Sequence, residues 1–175
     1  MTTWKIDPAH TDVLFSAKHM MVTTVRGKFH GVEGELEIDE ANPRAIRGEI
    51  RIDATSLDTG TAQRDDHLRS GDFLLAADHP TIVGRVVSVE PDGDDWTVAV
   101  DLSIRGVTKR VVFEGEFGGI VPGMSGARHF GATLEAKIDR RDFGLVWNVP
   151  LGGDAVLVGN EIKLEIEVAA DEAAG

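Results

Sequence analysis

Trp96-Thr97-Val98-Ala99-Val100-Asp101-Leu102-Ser103-Ile104-Arg105 is the stretch that decides the fold. Trp96, Val98, Val100, Leu102 and Ile104 alternate with Thr97, Ala99, Asp101, Ser103 and Arg105. A period of two sends alternate side chains to opposite faces of an extended strand, so one face is uncharged and the other meets water. The same pattern recurs on both sides of it. Leu36 and Ile38 oppose Glu35, Glu37 and Asp39, and Ile46, Ile50 and Ile52 oppose Arg47, Glu49 and Arg51. Val111, Phe113 and Phe117 oppose Glu114 and Glu116, and Leu134 and Ile138 oppose Glu135, Lys137 and Asp139. Ile162, Leu164, Ile166 and Val168 oppose Glu161, Lys163, Glu165 and Glu167.

Turn signals separate these runs: Asn42-Pro43, Pro91-Asp92-Gly93, Gly106, and a longer glycine-rich loop opened by Gly118-Gly119 and Pro122-Gly123. Trp4–Ile6, Val13–Ala17 and Ile82–Val89 bring the total to about eight strands or more, the number at which small antiparallel barrels close. One segment, 61–70, lacks alternation and holds helix formers. It predicts a short helix capped by Thr59 or Thr61 and ending near Gly71. One short helix cannot cover so many apolar faces, which must bury against one another in a sandwich or a barrel. The expected fold is therefore all-β, an antiparallel β-barrel of about eight strands with one short helix, as a single domain over residues 1–175. Gly34, Gly48, Gly84 and Gly115 sit within apolar faces. Each is either a bend in a twisted barrel or a missing side chain that leaves the interior hollow.

Composition narrows the function. Hydrophobic residues make up 42% of the 175 residues and charged residues 27%, which suits a globular core rather than disorder. A net charge of −12 repels a phosphate backbone and gives no help in docking to anionic membranes. The absence of cysteine excludes thiol catalysis, disulfides and thiolate metal sites. No stretch approaches the ~18 apolar residues of a spanning helix. The N-terminal Met-Thr-Thr-Trp-Lys-Ile-Asp-Pro enters a strand-like segment with no apolar leader before it, which predicts a cytoplasmic location.

Polar constellations are few. The six histidines, His10, His19, His30, His67, His79 and His129, show no compact metal-ligand spacing, so no metal is expected. His10 and His19 are either structural hydrogen-bonding groups or head-group contacts. Arg64, Asp65, His67 and Asp72 form the densest polar cluster. It anchors the helix to a barrel rim, or it holds a general base with an orienting carboxylate. No serine nucleophile motif or phosphate-cradling loop accompanies it. Phe15, Phe29, Phe73, Phe113, Phe117, Phe130, Phe143, Trp96 and Trp147 fall mostly on apolar faces, where they pack a core or line a tunnel.

Several blocks together resemble the YceI-like family. They are Trp4-Lys5-Ile6-Asp7-Pro8-Ala9-His10-Thr11, Phe15–Met20, Val25–Phe29, Arg64–Phe73, His79-Pro80, Leu102–Lys109 and Arg140–Leu145. They run in family order from about Trp4 to Val168. The resemblance implies a lipocalin-like barrel without catalytic activity, whose interior binds a polyisoprenoid: an isoprenoid quinone, or a polyprenyl alcohol or phosphate. Relatives are often secreted or periplasmic, and they often carry phenylalanine where Gly84 stands here and alanine or proline where Gly71 stands. Gly84 is expected to enlarge or reshape the cavity.

The reading that results is a lipid-binding barrel with no cofactor beyond the lipid itself, no nucleic-acid partner and no stable membrane insertion. Its expected apolar tunnel comprises Phe15, Met20, Phe29, Leu36, Leu68, Phe73, Val98, Leu102, Phe113, Phe117, Leu134 and Phe143. Its expected polar rim comprises His19, Arg64, His67 and Asp72. An enzyme acting on an apolar substrate through Arg64, His67 and Asp72 is the alternative, and a filled-core interaction module is the third reading. Barrel edges and the apolar loop residues Leu145, Val146 and Trp147 leave room for a homodimer.

Overall fold

The computed structural model describes residues 1–175. Thirteen strands and one α-helix follow in order: β1 (Thr2–Ile6), β2 (Asp12–His19), β3 (Thr23–Phe29), β4 (Val32–Ile38), β5 (Arg47–Asp53), β6 (Leu57–Asp58), α1 (Ala62–Arg69), β7 (Thr81–Asp92), β8 (Asp95–Ile104), β9 (Val107–Pro122), β10 (Arg128–Asp139), β11 (Pro150–Gly152), β12 (Ala155–Val156) and β13 (Val158–Glu172). Eight of them form a closed antiparallel ring in the order β1-β4-β5-β7-β8-β9-β10-β13, with β13 pairing back onto β1. Closure removes the exposed sheet edges that an open sheet of this size would present.

The remaining long strands explain the barrel's asymmetry. β13 is long enough to hold two partners on one side: residues Ala170–Glu172 pair with β1, and Val158–Glu167 pair with β2. β1 and β2 are thus two halves of one bent barrel stave, broken at Asp7–Thr11. β3 and β4 make the second such stave, broken at His30-Gly31, where the Ser56 hydroxyl accepts both exposed backbone N–H groups. At one end β1 and β4 complete the ring. At the other end β2 and β3 flare away from it, β3 ends on the two-residue β6, and α1 crosses the opening.

The narrow end is filled by an aromatic chain. Trp96 stacks on Phe117 at 4.7 Å, Phe117 meets Phe130 at 5.4 Å, and Phe130 meets Trp4 edge-on at 6.2 Å. Trp4 is fully buried, its indole N–H donating to Thr2 Oγ1 at 2.8 Å. Arg128 lies over its ring and forks onto Glu172.

Three details depart from the alternation pattern. The glycine-rich segment does not leave the sheet at Gly118: β9 continues to Pro122, because a bulge lets Gly119 pair with Gly131 while Phe117 pairs with Ala132. The helix begins at Thr61, one of the two expected cap residues, but is fastened in another way. Thr61 occupies the N-cap without a side-chain cap bond, the helix ends on Ser70, and Asp65 reaches back to accept from the Thr59 backbone N–H and hydroxyl. Gly34, Gly48 and Gly115 mark close backbone approaches rather than voids. A Cβ at Gly115 would run into the Thr133 carbonyl, and one at Gly34 or Gly48 into the facing carbonyl of Glu49 or Glu35.

Candidate functional site

The flared end encloses a cavity of about 520 Å³, lined by 30 residues of which 23 are hydrophobic. Its walls come from β2 and β3 on one side, the N-terminal half of β13 behind, α1 across the top, and the ends of β8, β9 and β10 below. Phe15, Phe29, Leu68, Phe73, Leu102, Phe113 and Phe143 line it, as do His19, Arg64 and His67. The Phe15 ring folds over Gly27, its register partner on β3, where any Cβ would collide with it. Glycine at 27 therefore sets where that wall stands.

Five expected tunnel residues lie elsewhere. Phe117 belongs to the narrow end, where a second pocket of about 200 Å³ lies among Ile38, Pro43, Ile46, Trp96, Phe117, Ile120 and Phe130. Leu36, Val98 and Leu134 line neither pocket. Along β8, Val98 stands between Trp96 at the small pocket and Leu102 at the large one; along β10, Leu134 stands between Phe130 and Ile138. These side chains form a packed layer, so the barrel holds a closed-bottomed cavity rather than a tunnel through its length. Alternation tells in from out but carries no information on height along the axis. Met20 is 49% exposed because it sits in the β2–β3 turn, beyond the end of the inward-facing row. Gly84 does not border the cavity either; a Cβ there would meet only Val100, at ordinary contact distance.

The polar rim separates into two layers. Arg64 donates through Nε to Thr59 Oγ1 at 2.7 Å and through Nη2 to Thr59 O at 2.8 Å, which ties α1 back to the β6 connection. Asp72 does not line the cavity. It holds His67, Nε2 to Oδ2 at 2.9 Å, and the imidazole in turn stands edge-on to Phe73 and Trp147 at 5.0 and 4.5 Å. Ser70 Oγ, in the helix C-cap, donates to the His67 backbone carbonyl rather than to its imidazole.

Arg140 is the site residue that sequence reasoning misses. Only 3% exposed, it lines the cavity beneath Phe73 and donates to the carbonyls of Leu145 (2.7 Å), Trp147 (2.9 Å), Gly159 (3.0 Å) and Val158 (3.4 Å). One guanidinium thereby fastens the 145–147 segment to the start of β13. Burial pulls its pKa below the usual arginine value, with Asp139 working the other way. In the sequence it reads as half of a surface Arg-Arg-Asp turn. The fastening also turns Leu145 and Trp147 inward to line the cavity, leaving Val146 as the exposed one of the three residues expected to offer a dimer contact.

The charge at this cavity is of one sign. Lys18, His19, Arg64, His67 and Arg140 line it and no carboxylate does. Lys18, Arg64 and Arg140 are without ion pairs. Arg44, Arg51, Arg85, Arg110, Arg128 and Arg141 each hold a carboxylate elsewhere on the barrel.

A second polar group, unread in the sequence because its members are far apart, gathers outside the narrow end. The ligand atoms of Asp7, His129 and Asp171 lie within 4.8 Å of one another. His129 pairs with Asp171 at 2.7 Å and the neighbouring His10 with Asp7 at 2.6 Å.

Comparison with known proteins agrees with this architecture. The model of the YceI-like domain matches residues 4–170. Protein YceI of an Escherichia coli strain is 38% identical over 144 residues, covering 81% of this chain and 75% of its own. A UPF0312 protein of Staphylococcus epidermidis is 31% identical over 166 residues, covering 94% and 95%. The crystal structure of a Campylobacter jejuni YceI protein superposes with a TM-score of 0.75 at 28% identity, covering 90% of each chain. A domain of Saccharophagus degradans, described as polyisoprenoid-binding and implicated in plant cell wall breakdown, shares the fold at a TM-score of 0.68 and 13% identity, covering 99% of this chain and all of its own. The chain is a member of the YceI-like family.

Proposed function

We propose that the protein binds one long apolar lipid of the polyisoprenoid class, a quinone or a polyprenyl alcohol or phosphate, and carries or stores it without altering it chemically. The observation that carries this reading is the wide cavity, about 520 Å³ with 23 of its 30 lining residues hydrophobic. That volume lies within the range of sites that enclose small organic ligands. Burial of a prenyl chain there would contribute roughly 25 cal/mol per Å² of apolar surface. Phe15, Phe29, Leu68, Phe73, Leu102, Phe113 and Phe143 would hold the tail, while His19, Arg64 and His67 would face the head. The description of the Saccharophagus degradans domain, which shares the fold, supports a polyisoprenoid over other lipids. His67 held by Asp72 orients the rim and braces Trp147, a positioning task that needs no substrate turnover.

Mass spectrometry of organic extracts from natively purified protein tests the reading. A prenyl lipid approaching one molecule per chain is expected. Extracts without any apolar compound, together with delipidated protein that fails to take up a prenyl alcohol, would overturn it.

A further inference from the structure

We propose that the rim of the wide cavity docks on the surface of a lipid bilayer, through an apolar crown formed by the β2–β3 turn and the 146–151 segment. The inference rests on the lipid-binding reading, for it supplies the route by which a bilayer-resident ligand reaches the cavity.

Exposed apolar side chains are gathered at this rim. Of the twelve exposed large hydrophobic residues, Met20, Met21, Val22, Val146, Val149 and Leu151 all lie on these two segments. The segments are neighbours: Met20 N–H donates to Leu157 O at 2.8 Å, and Leu157 N–H donates to Val149 O at 3.0 Å. Each adjoins the cavity wall directly, since Lys18, His19, Leu145, Trp147 and Leu157 line it. The crown therefore borders the opening on one side and continues its apolar lining outward. Six apolar residues in one place are a patch rather than the scattered exposure normal for a soluble surface.

The turn itself is built against local preference. Val22 N–H donates to His19 O, and both central residues have positive φ, Met20 at 51° and Met21 at 70°. That is the φ signature of a type I′ turn, which favours Asn-Gly because L side chains resist this region. Two methionines occupy it instead. Their long, unbranched, polarisable side chains fit irregular apolar surroundings such as acyl chains. Local rules broken in this way cluster at functional positions, and an apolar surface outside the fold is one that these two side chains suit.

Charge identifies the occupant as a bilayer. The protein as a whole carries −12. From Lys18 to Arg26 the turn and the strand ends beside it carry two cations and no carboxylate; Asp12, at the far end of β2, is paired with Lys28, and the cavity behind adds Arg64 and Arg140. Asp154 is the one carboxylate of the 145–157 segment. Beyond about 8 Å, charges are screened at physiological ionic strength, so the membrane reads the rim and not the net charge. A shallow apolar crown with basic flanks suits a reversible interfacial contact, not a span.

The test is flotation of the full chain with vesicles of phosphatidylcholine and phosphatidylglycerol, paired with uptake of a prenyl alcohol in solution. Wild type should float with the vesicles. Met21→Glu with Val22→Glu should lose roughly tenfold in vesicle association, the effect of burying two carboxylates at the interface. It should keep prenyl alcohol uptake, because neither residue lines the cavity. Met124→Glu, more exposed still but on the β9–β10 turn at the narrow end, should change nothing. Met20→Asn with Met21→Gly should raise the melting temperature by a few degrees and still weaken flotation. Wild type that stays with the aqueous phase, or a Met124 variant as impaired as the crown variant, would overturn the proposal. So would a crown mutation that dissolves a dimer in light scattering without any effect on vesicles, since the occupant would then be a second copy of the chain. Failure of the lipid-binding reading would show separately, as wild type that takes up no prenyl alcohol.

Discussion

The two ends of this barrel are built from the same alternating strands and reach opposite outcomes. At the narrow end, β1 and β4 close the ring and Trp4, Trp96, Phe117 and Phe130 fill most of it, leaving a pocket of about 200 Å³. At the wide end, β2 and β3 flare outward, and phenylalanines of equal bulk line a cavity of about 520 Å³. Hydrophobicity does not distinguish the ends. What differs is the circumference that the bent staves must enclose, and a few polar fasteners, chiefly Arg140 and the Asp65–Thr59–Arg64 link, that hold the wide end open. The narrow end is packed with aromatic side chains, and the wide end leaves a space that its own side chains do not fill.

This division predicts a gradient of effects. The largest belongs to Trp4→Ala. Removing a fully buried indole from a packed end should cost about 3–5 kcal/mol of stability, measurable by denaturant unfolding, with prenyl alcohol affinity unchanged in whatever fraction stays folded. A variant that is stable yet loses ligand would show that the two ends are one functional unit.

Arg140→Met should cost less, about 2–3 kcal/mol, because it strips charged hydrogen bonds from buried carbonyls while keeping the packing. Its effect should also be local. Backbone amides of 145–148 should lose hydrogen-exchange protection well before those of β8. Uniform loss across the barrel would contradict the fastening role. Arg140→Lys should not restore protection, since a single ammonium cannot span carbonyls on two segments.

Phe15→Ala should cost only about 1–2 kcal/mol, because one face of the ring already lacks packing partners at the cavity wall. Ligand affinity should move more than stability does. A loss as large as that of Trp4→Ala would mean that the wide end is as tightly filled as the narrow one.

The smallest effect comes from His10, outside the narrow end. Its hydrogen bond to Asp7, aided by the charge of that carboxylate, raises the imidazole pKa above the ordinary ~6.5. The pair's contribution is therefore fully present below that ordinary value and is lost as pH rises through the raised one. The melting temperature should fall slightly as pH rises above the ordinary histidine value, and His10→Ala should flatten that slope. Ligand affinity should be indifferent to the change, since His10 lies away from the cavity.

Much of this architecture is legible in the residues themselves. The Trp96–Arg105 alternation and its echoes fix strands and the inward face, and the lone helical segment falls at Ala62–Arg69 as the break in alternation predicts. Position along the barrel axis is not legible. Phe15 and Phe117 read alike on their strands, yet they sit at opposite ends, because end is decided by pairings such as β2 on β13 that join distant residues. The bent staves are also hidden: nothing in Asp7–Thr11 or His30-Gly31 announces that the chain continues the same stave at a different angle. Arg140 is hidden for a third reason. Its partners are backbone carbonyls, which any sequence supplies, so no partner residue marks it. The glycines mislead for a related cause, since Gly34, Gly48 and Gly115 answer to facing carbonyls rather than to the interior.

Titration of delipidated protein with prenyl alcohols of graded length tests the central claim most directly. If the wide cavity supplies the affinity by burying apolar surface, binding should strengthen steadily with each added isoprene unit and level off once the chain reaches the Leu36–Val98–Leu134 layer. Arg64→Ala should alter the preference among head groups and leave that length dependence in place. Affinity that is independent of chain length but collapses in the Arg64 variant would contradict the account and place recognition in the polar rim instead.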